Sequence, residues 1–320
     1  MTIQNITKPM DKIPANVNGI PQQVDLNTAL NMLESVMNDI INSDVTVLRD
    51  ASKHILQAGG KRIRPRVVLL SHLATNGNQI DKTVKIAAAI ELVHTASVVH
   101  DDINDHGVVR RGHPSVNAIW GRTFALLTGD FLFTKVYELM APFQDLNIDF
   151  SEATVALVEG ETLQAAAVKD NNLSREVYYE IIAKKTAALF KAGAILGAKM
   201  ANASQEFIDA LGNYGFNIGL AFQIIDDLLD LTGDVEQLGK TAGIDVEQGK
   251  GFASVQSDSS ANDPMAAIRE KMMDGETITK ARMEAGLLVQ SAIEEISILP
   301  ESPAKDDLIA LAKSVIDREF

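Results

Sequence analysis

Apolar residues recur with the period of an α-helix through almost all of the chain after residue 24. In the first such segment, Leu26, Ala29, Leu30, Leu33 and Met37 follow the i, i+3/i+4 spacing that places side chains on one helical face. Alanine-rich segments such as KIAAAIELVHTASVVHDDIND continue the pattern, whereas alternating β-branched runs bounded by turns are scarce. The periodicity therefore predicts an all-α protein, and a sheet is not expected.

Breaks in this pattern separate helices but do not separate domains. The N-terminal segment has prolines at 9, 14 and 21 and no apolar core of a signal peptide, so residues 1–24 are predicted to be a flexible tail. No later shift in composition divides the chain, and we expect residues 25–320 to form a single domain. Four polar or glycine-containing breaks are expected to be loops: Gly59–Gly60, Gly107–Pro114, Thr232–Gly251 and Gln256–Pro264.

The charge balance and the lack of cysteine narrow the classes of function. The chain has 29 Lys and Arg against 43 Asp and Glu, a net charge of −14, which disfavours nucleic acid and anionic lipid as partners. Without cysteine there is no disulfide, thiolate metal site or cysteine nucleophile. The most apolar stretch, Val84–Val99, contains charged side chains and is too short for a membrane span, which needs about 20 apolar residues. We therefore expect a cytoplasmic protein without a membrane span.

Two acidic clusters with the same spacing are the strongest functional signal. Each has carboxylates at i, i+1 and i+4, which places two of them one helical turn apart. They are Asp101, Asp102 and Asp105 and, 125 residues later, Asp226, Asp227 and Asp230. Such carboxylates repel unless a cation lies between them, and oxygen ligands without His or Cys favour Mg²⁺. A solvated helix end is the alternative for either cluster, but both end apolar segments, which favours two magnesium sites facing each other.

Basic groups near these clusters supply the charge that a diphosphate requires. They are Lys61, Arg62 and Arg64 in GGKRIRP, Arg110 and Arg111 after the first cluster, Lys184 and Lys185 before Thr186, Lys240 in GKTAG, and His94 two turns before Asp101. Arginine presents a planar fork to two phosphate oxygens, whereas lysine presents a point charge. Ordinary salt bridges are the alternative for any one of them. Together with two magnesium sites, they predict one diphosphate bound through Mg²⁺ and a second bound without metal.

The combined motifs resemble those of the trans-prenyltransferases, the all-trans isoprenyl diphosphate synthases. In order, the matching motifs are GGKRIRP, DDxxD followed by RRG, GDFLF, EGExxQ, KT, FQxxDDxxD and GK, from about Gly59 to Lys250. The resemblance implies a single large helical bundle around a central cavity, with residues 25–320 as the catalytic domain. It also implies a homodimer.

The same resemblance implies a role for each matching residue. Mg²⁺ is expected at Asp101, Asp102, Asp105 and Asp226, with Asp227 and Asp230 completing the second motif. An allylic diphosphate is expected at Arg110, Lys185, Thr186, Gln223 and Lys240. Isopentenyl diphosphate is expected at Lys61, Arg64, His94 and Arg111. In the implied reaction the allylic C–O bond ionises, the double bond of isopentenyl diphosphate attacks the cation, and a proton is lost to the released diphosphate.

Small side chains before the first acidic cluster predict a long product. In the family, the fourth and fifth residues before the first Asp form the floor under the growing chain, and an aromatic side chain there stops growth. Those residues are Ser97 and Ala96 here, and Val93 further up also leaves the floor open. We therefore expect an all-trans chain of six or more isoprene units, used as a quinone side-chain precursor. A short-chain farnesyl or geranylgeranyl product, set by a plug from a neighbouring helix, is the alternative.

Other classes of protein explain less of the sequence. An HD-type metal phosphohydrolase would use His94 or His72 with His100 and Asp101, but it leaves FQIIDDLLD and GGKRIRP without a role. A non-catalytic partner subunit is expected to lack one acidic cluster, and both are present. Class I terpene cyclases have a different second metal motif. The chain departs from the family pattern in GKTAGIDVEQGKGFASVQSDSSAND, residues 239–263, which lacks the usual proline-containing helix start; this bears on Lys240 and Lys250 and makes the loop at 250–264 atypical.

Overall fold

The computed structural model describes residues 24–170, 172, 174–232 and 275–317. From the N-terminus the helices are α1 (Leu26–Ile40), α2 (Thr46–Gln57), α3 (Ile63–Ala74), α4 (Ile80–Asn104), α5 (Val116–Trp120), α6 (Arg122–Met140) and α7 (Leu146–Lys169). They continue as α8 (Arg175–Ile182), a π-helical turn (Ala183–Ala187), α9 (Ala188–Met200), α10 (Gln205–Thr232), α11 (Gly275–Glu295), a 3₁₀ turn (Ile296–Ile298) and α12 (Pro303–Ile316). The predicted all-α class is confirmed.

Several helices begin where the sequence supplies a side-chain cap. Asp25, Ser115, Ser174 and Ser302 each accept a hydrogen bond from a backbone N–H in the first turn of the helix that follows. Such a cap satisfies one of the N–H groups that a helix start leaves without an intrahelical partner. The starts of α1, α5, α8 and α12 are therefore determined locally.

Helix α4 passes through the centre of the molecule. Its residues 86–90 are fully buried in succession, as expected of a helix that is surrounded by protein on every side. Helices α1, α3, α6 and α9 pack around it. With 25 residues at about 1.5 Å each, α4 is about 37 Å long, and it ends within the first acidic cluster.

Helix α10 has 28 residues and carries the second acidic cluster near its C-terminal end. It packs against α9, α11 and α12, while α9 also contacts α3 and α4. Glycine permits the closest approaches: a Cβ at Gly215 would lie 2.6 Å from the Phe190 carbonyl oxygen, and one at Gly197 would overlap the Val68 carbonyl oxygen. Helix α9 thus lies between the two helices that carry the acidic clusters.

Buried apolar side chains from α1 to α12 form one continuous cluster, between Ala29 and Val315 in sequence. Within the described part of the chain, no helix has the length and apolar character needed to cross a membrane. Residues 1–23 of the predicted tail and residues 233–264, which include two predicted loops, lie outside the described residues.

A short hairpin follows α4, where the sequence predicted only a loop. Strands β1 (Val109–Arg110) and β2 (His113–Pro114) are antiparallel and pair Val109 with Pro114 and Arg110 with His113. The two connecting residues, Arg111 and Gly112, have φ of 52° and 76°. Positive φ at both positions is typical of a type I′ turn, whose twist suits a hairpin. Strands of two residues have no alternation to detect, so the expectation of no sheet was wrong at this one segment.

Candidate active site

The acidic ends of α4 and α10 line one cavity, together with α7, α8 and the π-helical turn. Most of the predicted site residues lie on its wall: Arg64, His94, Ser97, Asp101, Asp102, Asp105, Arg110, Lys185, Thr186, Gln223, Asp226 and Asp227. Its apolar lining includes Leu157, Ile181, Leu189 and Phe222. The fold therefore brings two motifs that lie 125 residues apart to a common space.

The other predicted residues lie elsewhere. Asp230, Val93 and Ala96 are buried and are not part of the cavity wall, so only Ser97 of the three predicted floor residues reaches the cavity. Lys61 and Arg111 are exposed, outside this wall. Lys240 lies outside the described residues.

Asp102 in the first acidic cluster is buried and held by an arginine. Its Oδ1 accepts hydrogen bonds from Arg110 Nη2 at 2.6 Å and from Arg110 Nε at 3.0 Å. Burial raises the pKa of Asp102, and the neighbouring guanidinium only partly opposes this. Its Oδ2 is buried without a hydrogen-bond partner. A buried carboxylate oxygen in this state requires a partner, and a cation would supply one.

Lys185 contacts the same cluster. Its Nζ lies 3.4 Å from Asp101 Oδ2 and 2.8 Å from Glu161 Oε2, and it donates to Gln164 Oε1 at 2.9 Å. Burial lowers the pKa of Lys185, but Asp101 and Glu161 raise it more, so the net shift is upward and the ammonium stays charged. We call Asp101, Asp102, Asp105, Arg110 and Lys185 the acidic corner of the site.

The helical turn that carries Lys185 and Thr186 is a π-helix. A Cβ at Gly160 of α7 would lie 2.5 Å from the backbone nitrogen of Lys185, so the two segments are in close contact. Single π turns within helices are frequent at functional sites. The sequence predicted no break in the helical pattern at this position.

A chain of hydrogen bonds links the π-helical turn to the second acidic cluster. Thr186 Oγ1 donates to Gln223 Oε1 at 2.7 Å, and Gln223 Nε2 donates to Asp227 Oδ1 at 2.9 Å. The Tyr178 hydroxyl donates to Asp227 Oδ2 at 2.7 Å. Both oxygens of Asp227 therefore accept bonds from the protein, while Asp226 also lies on the cavity wall.

Three residues of this site were not assigned a role from the sequence. Glu161 and Gln164 belong to the EGExxQ motif, and their shared contact with Lys185 explains that motif. Tyr178 lies seven residues, or about two helical turns, before Lys185. The seven-residue spacing from Lys185 could have pointed to Tyr178 as a residue of the site. Buried tyrosines are common, however, so this spacing alone does not identify it.

Arg62 in GGKRIRP is a structural residue. It adopts a left-handed conformation with φ of 49°, and its guanidinium lies 2.7 Å from Glu34 and 2.9 Å from Glu91. Glu91 is buried, with 3 % of its surface exposed. For Arg62 the structure therefore shows ordinary salt bridges, which were the alternative to binding a diphosphate.

Arg64 and His94 lie on the cavity wall under different constraints. The Arg64 guanidinium lies over the rings of Phe190 and Phe222, 4.8 and 5.7 Å from their centroids. Burial and the nearby arginines, Arg64 first among them, lower the pKa of His94 well below its usual value. The imidazole of His94 is consequently neutral at pH 7.

Lys61 of the glycine turn and Arg111 of the hairpin are both exposed cations. In the described ranges, neither Lys61 nor Arg111 forms a salt bridge. The Arg111 guanidinium lies against the backbone of Gly60, since a Cβ there would be 2.7 Å from Arg111 Nη1. We call Gly60, Lys61, His94 and Arg111 the glycine corner of the site.

The cavity residues fit a divalent metal that is shared with a ligand. Among the residues the structure describes, no three His, Asp or Glu side chains converge as a complete metal cage. Magnesium is usually held by one or two carboxylates together with substrate phosphates, so a complete cage is not required. The oxygen-only donor set and the orphaned Asp102 Oδ2 agree with such a site.

The helical bundle, the paired acidic motifs and the opposing cations define the class of the helical prenyltransferases. The sequence model of the family "Polyprenyl synthetase" matches residues 45–285, and the chain belongs to that family. The recognition of a trans-prenyltransferase from its motifs is confirmed.

Known proteins of this family are similar over most of their length. The chain is 34 % identical to all-trans-nonaprenyl-diphosphate synthase (geranyl-diphosphate specific) of Rhodobacter capsulatus, covering 89 % of this chain and 94 % of that protein. It is 37 % identical to a short chain isoprenyl diphosphate synthase of Methanothermobacter thermautotrophicus, covering 87 % and 93 %. A polyprenyl synthase of Caulobacter crescentus, solved with calcium and isoprenyl diphosphate, superposes with a TM-score of 0.84 at 31 % identity, covering 91 % and 95 %.

Proposed function

We propose that the enzyme condenses isopentenyl diphosphate with an allylic diphosphate (geranyl, farnesyl or geranylgeranyl) and, by repetition, makes a long-chain all-trans polyprenyl diphosphate. The observation that carries this proposal is the single cavity that Asp101, Asp226, Lys185 and Gln223 share with an apolar wall. Its charged and polar side chains suit a diphosphate, and its apolar side chains suit a prenyl chain. Quinone side chains are the proposed use of the product, and residues 25–320 are the proposed catalytic domain.

Asp101, Asp102, Asp105 and Asp226 are the residues that would hold Mg²⁺ together with the allylic diphosphate. When bound, Mg²⁺ neutralises charge that develops on the departing diphosphate. The calcium and isoprenyl diphosphate in the Caulobacter crescentus structure support a divalent metal at this site. Both oxygens of Asp227 are engaged by the protein, so we assign Asp227 to orienting Gln223 and Tyr178.

The chain's own cations and apolar residues account for the remaining steps. Arg110 and Lys185 stabilise the leaving oxygens as the allylic C–O bond ionises, and Thr186 and Gln223 orient them. Leu157, Ile181, Leu189 and Phe222 keep water away from the allylic cation until the double bond of isopentenyl diphosphate attacks it. The released diphosphate then takes the proton. Lys61, Arg64, His94 and Arg111 are proposed to bind isopentenyl diphosphate.

A homodimer is part of the proposal, and the exposed faces of α6 and α7 support it. Phe124, Leu127, Tyr137, Val155 and Val158 are all at least 44 % exposed on these two helices. Large exposed apolar patches commonly mark interfaces between proteins. Sedimentation of the purified protein at several concentrations tests the dimer.

The length of the product decides between the long-chain proposal and its short-chain alternative. Both are represented among relatives of similar identity, so identity alone does not distinguish them. Purified protein is incubated with labelled isopentenyl diphosphate, farnesyl diphosphate and Mg²⁺, with and without a chelator, and the products are sized. We expect chains of six or more units, dependent on metal, and a shift to shorter chains for Ser97→Phe. Short products from the wild type would refute the open floor, and no elongation would refute the reaction.

A further inference from the structure

The hairpin after α4 has to hold Arg111 in a conformation that arginine does not favour. Arg111 has φ of 52°, in the left-handed region where a Cβ meets the backbone. Such a conformation persists when surrounding contacts determine it, and it is common at functional sites. The contacts that hold the hairpin therefore decide where the Arg111 guanidinium lies.

Bonds within the segment hold the base of the hairpin and one of its two arginines. Ser115 Oγ donates to the Gly107 carbonyl at 2.6 Å, and the Ser115 N–H donates to the Val108 carbonyl at 2.9 Å. Arg110 is separately fixed by its two hydrogen bonds to Asp102. Arg111 has no such carboxylate in the described part of the chain.

A histidine on α2 supplies a contact from outside the hairpin. His54 Nε2 lies 2.8 Å from the Pro114 carbonyl oxygen at the end of β2. A carbonyl oxygen only accepts, so Nε2 carries the proton and donates. The ring also packs edge-on against Trp120, with centroids 5.4 Å apart, and near His113 at 6.4 Å.

The same end of α2 reaches the hairpin at two points. His54 lies in its last turn, and the helix is followed directly by the glycine turn, where Gly60 lies against the Arg111 guanidinium. Gly60 has φ of 151°, so a side chain there would be both strained and in collision with Arg111. Helix α2 thus contacts the backbone of β2 through His54, and the glycine turn that follows it contacts the Arg111 side chain through Gly60.

We propose that His54 is a positioning residue for isopentenyl diphosphate: by holding the Pro114 carbonyl it keeps Arg111 directed into the glycine corner. The proposal rests on the proposed function, in which the glycine corner binds that substrate. His54 itself does not touch the substrate. Its loss should weaken isopentenyl diphosphate binding selectively, because Arg110 and the acidic corner have their own anchors.

The variants separate the hydrogen bond from the packing of the ring. His54→Phe keeps an aromatic ring beside Trp120 but removes the donor, whereas His54→Gln keeps an N–H donor of similar reach. Gln57→Ala, an exposed change in the same turn of α2, is the matched control. Binding of isopentenyl diphosphate is measured by calorimetry without divalent metal, and KM for both substrates, kcat and the melting temperature are measured in parallel.

For His54→Phe we expect binding of isopentenyl diphosphate to weaken, and its KM to rise, by about three- to tenfold. The allylic KM and kcat should stay within about twofold, and the glutamine and control variants should resemble the wild type. Unchanged binding in His54→Phe, or an equal loss in Gln57→Ala, would overturn the role of His54. So would a joint change of both KM values, kcat and melting temperature, which a merely structural residue would give. Failure of the wild type to bind isopentenyl diphosphate would instead overturn the proposed function.

Discussion

The acidic corner and the glycine corner both concentrate cations, but only the first also supplies carboxylates. In the acidic corner, Arg110 and Lys185 contact Asp102 and Asp101, so the cations already have partners. In the glycine corner, Lys61 and Arg111 have no salt bridge within the described residues, and His94 is neutral. The carboxylates of the first corner would repel an anion unless a metal ion lay between them, whereas the second corner would attract an anion directly. The difference supports two diphosphate sites of unlike chemistry.

Removing a carboxylate of the acidic corner should have the largest effect. Asp101→Asn keeps the shape of the side chain but removes the charge proposed to hold Mg²⁺, and we expect kcat/KM to fall about 10³-fold or more. Incorporation of labelled isopentenyl diphosphate measures it. Asp81→Asn, exposed at the start of the same helix, should retain full activity. More than a tenth of wild-type activity in Asp101→Asn would contradict the metal assignment.

Substituting Arg62, which follows Lys61 of the glycine corner and pairs with Glu34 and Glu91, should instead reduce the stability of the fold. Arg62→Met leaves buried Glu91 without its salt-bridge partner, and we expect the free energy of unfolding to fall by about 3 kcal/mol. Denaturation by urea measures this change. Arg175→Met, which breaks an exposed pair with Glu284, should cost less than about 1 kcal/mol. Equal losses in the two variants would show that burial of the Arg62 pair is unimportant.

Two adjacent lysines distinguish a site cation from a surface cation. Lys185→Met removes a charge that is proposed to face the leaving diphosphate, and we expect kcat to fall about 10²-fold. Lys184 pairs with the half-exposed Glu159 outside the cavity wall, so Lys184→Met should leave kcat within about twofold. Single-turnover kinetics with an allylic substrate compare them. A similar loss in both would mean that the helix, not the Lys185 charge, is responsible.

The smallest expected effect concerns the glycine corner alone. Arg111→Gln should raise the KM of isopentenyl diphosphate about tenfold, with kcat little changed, because one charge-assisted contact is lost. The dependence of that KM on salt should also weaken. Arg122→Gln, at an exposed position of α6, is the control. An equal rise in the allylic KM would contradict the separation of the two corners.

Much of the site could be predicted because its signals are local in sequence. The i, i+1, i+4 spacing of the acidic motifs implies stacked carboxylates on any helix, and all of the first cluster and two residues of the second, Asp226 and Asp227, line the cavity. The floor of the product site was harder to predict. Three small residues on α4 all satisfied the pattern, but Val93 and Ala96 pack into the core and only Ser97 lies at the cavity. Which face of a helix is open depends on its neighbours, and these are distant in sequence.

The sequence by itself determined the helical class, the two oxygen-rich motifs and the family, because helical period and motif spacing are properties of short segments. Only the tertiary structure decided which charged groups are available to a substrate. Arg62 forms a salt bridge with Glu34, 28 residues away, and Asp227 accepts a hydrogen bond from Tyr178, 49 residues away. The π-helical turn at Lys185 and the left-handed Arg111 likewise depend on packing. Charge can be read from a residue type, but burial and partners are set by segments that meet only in the folded chain.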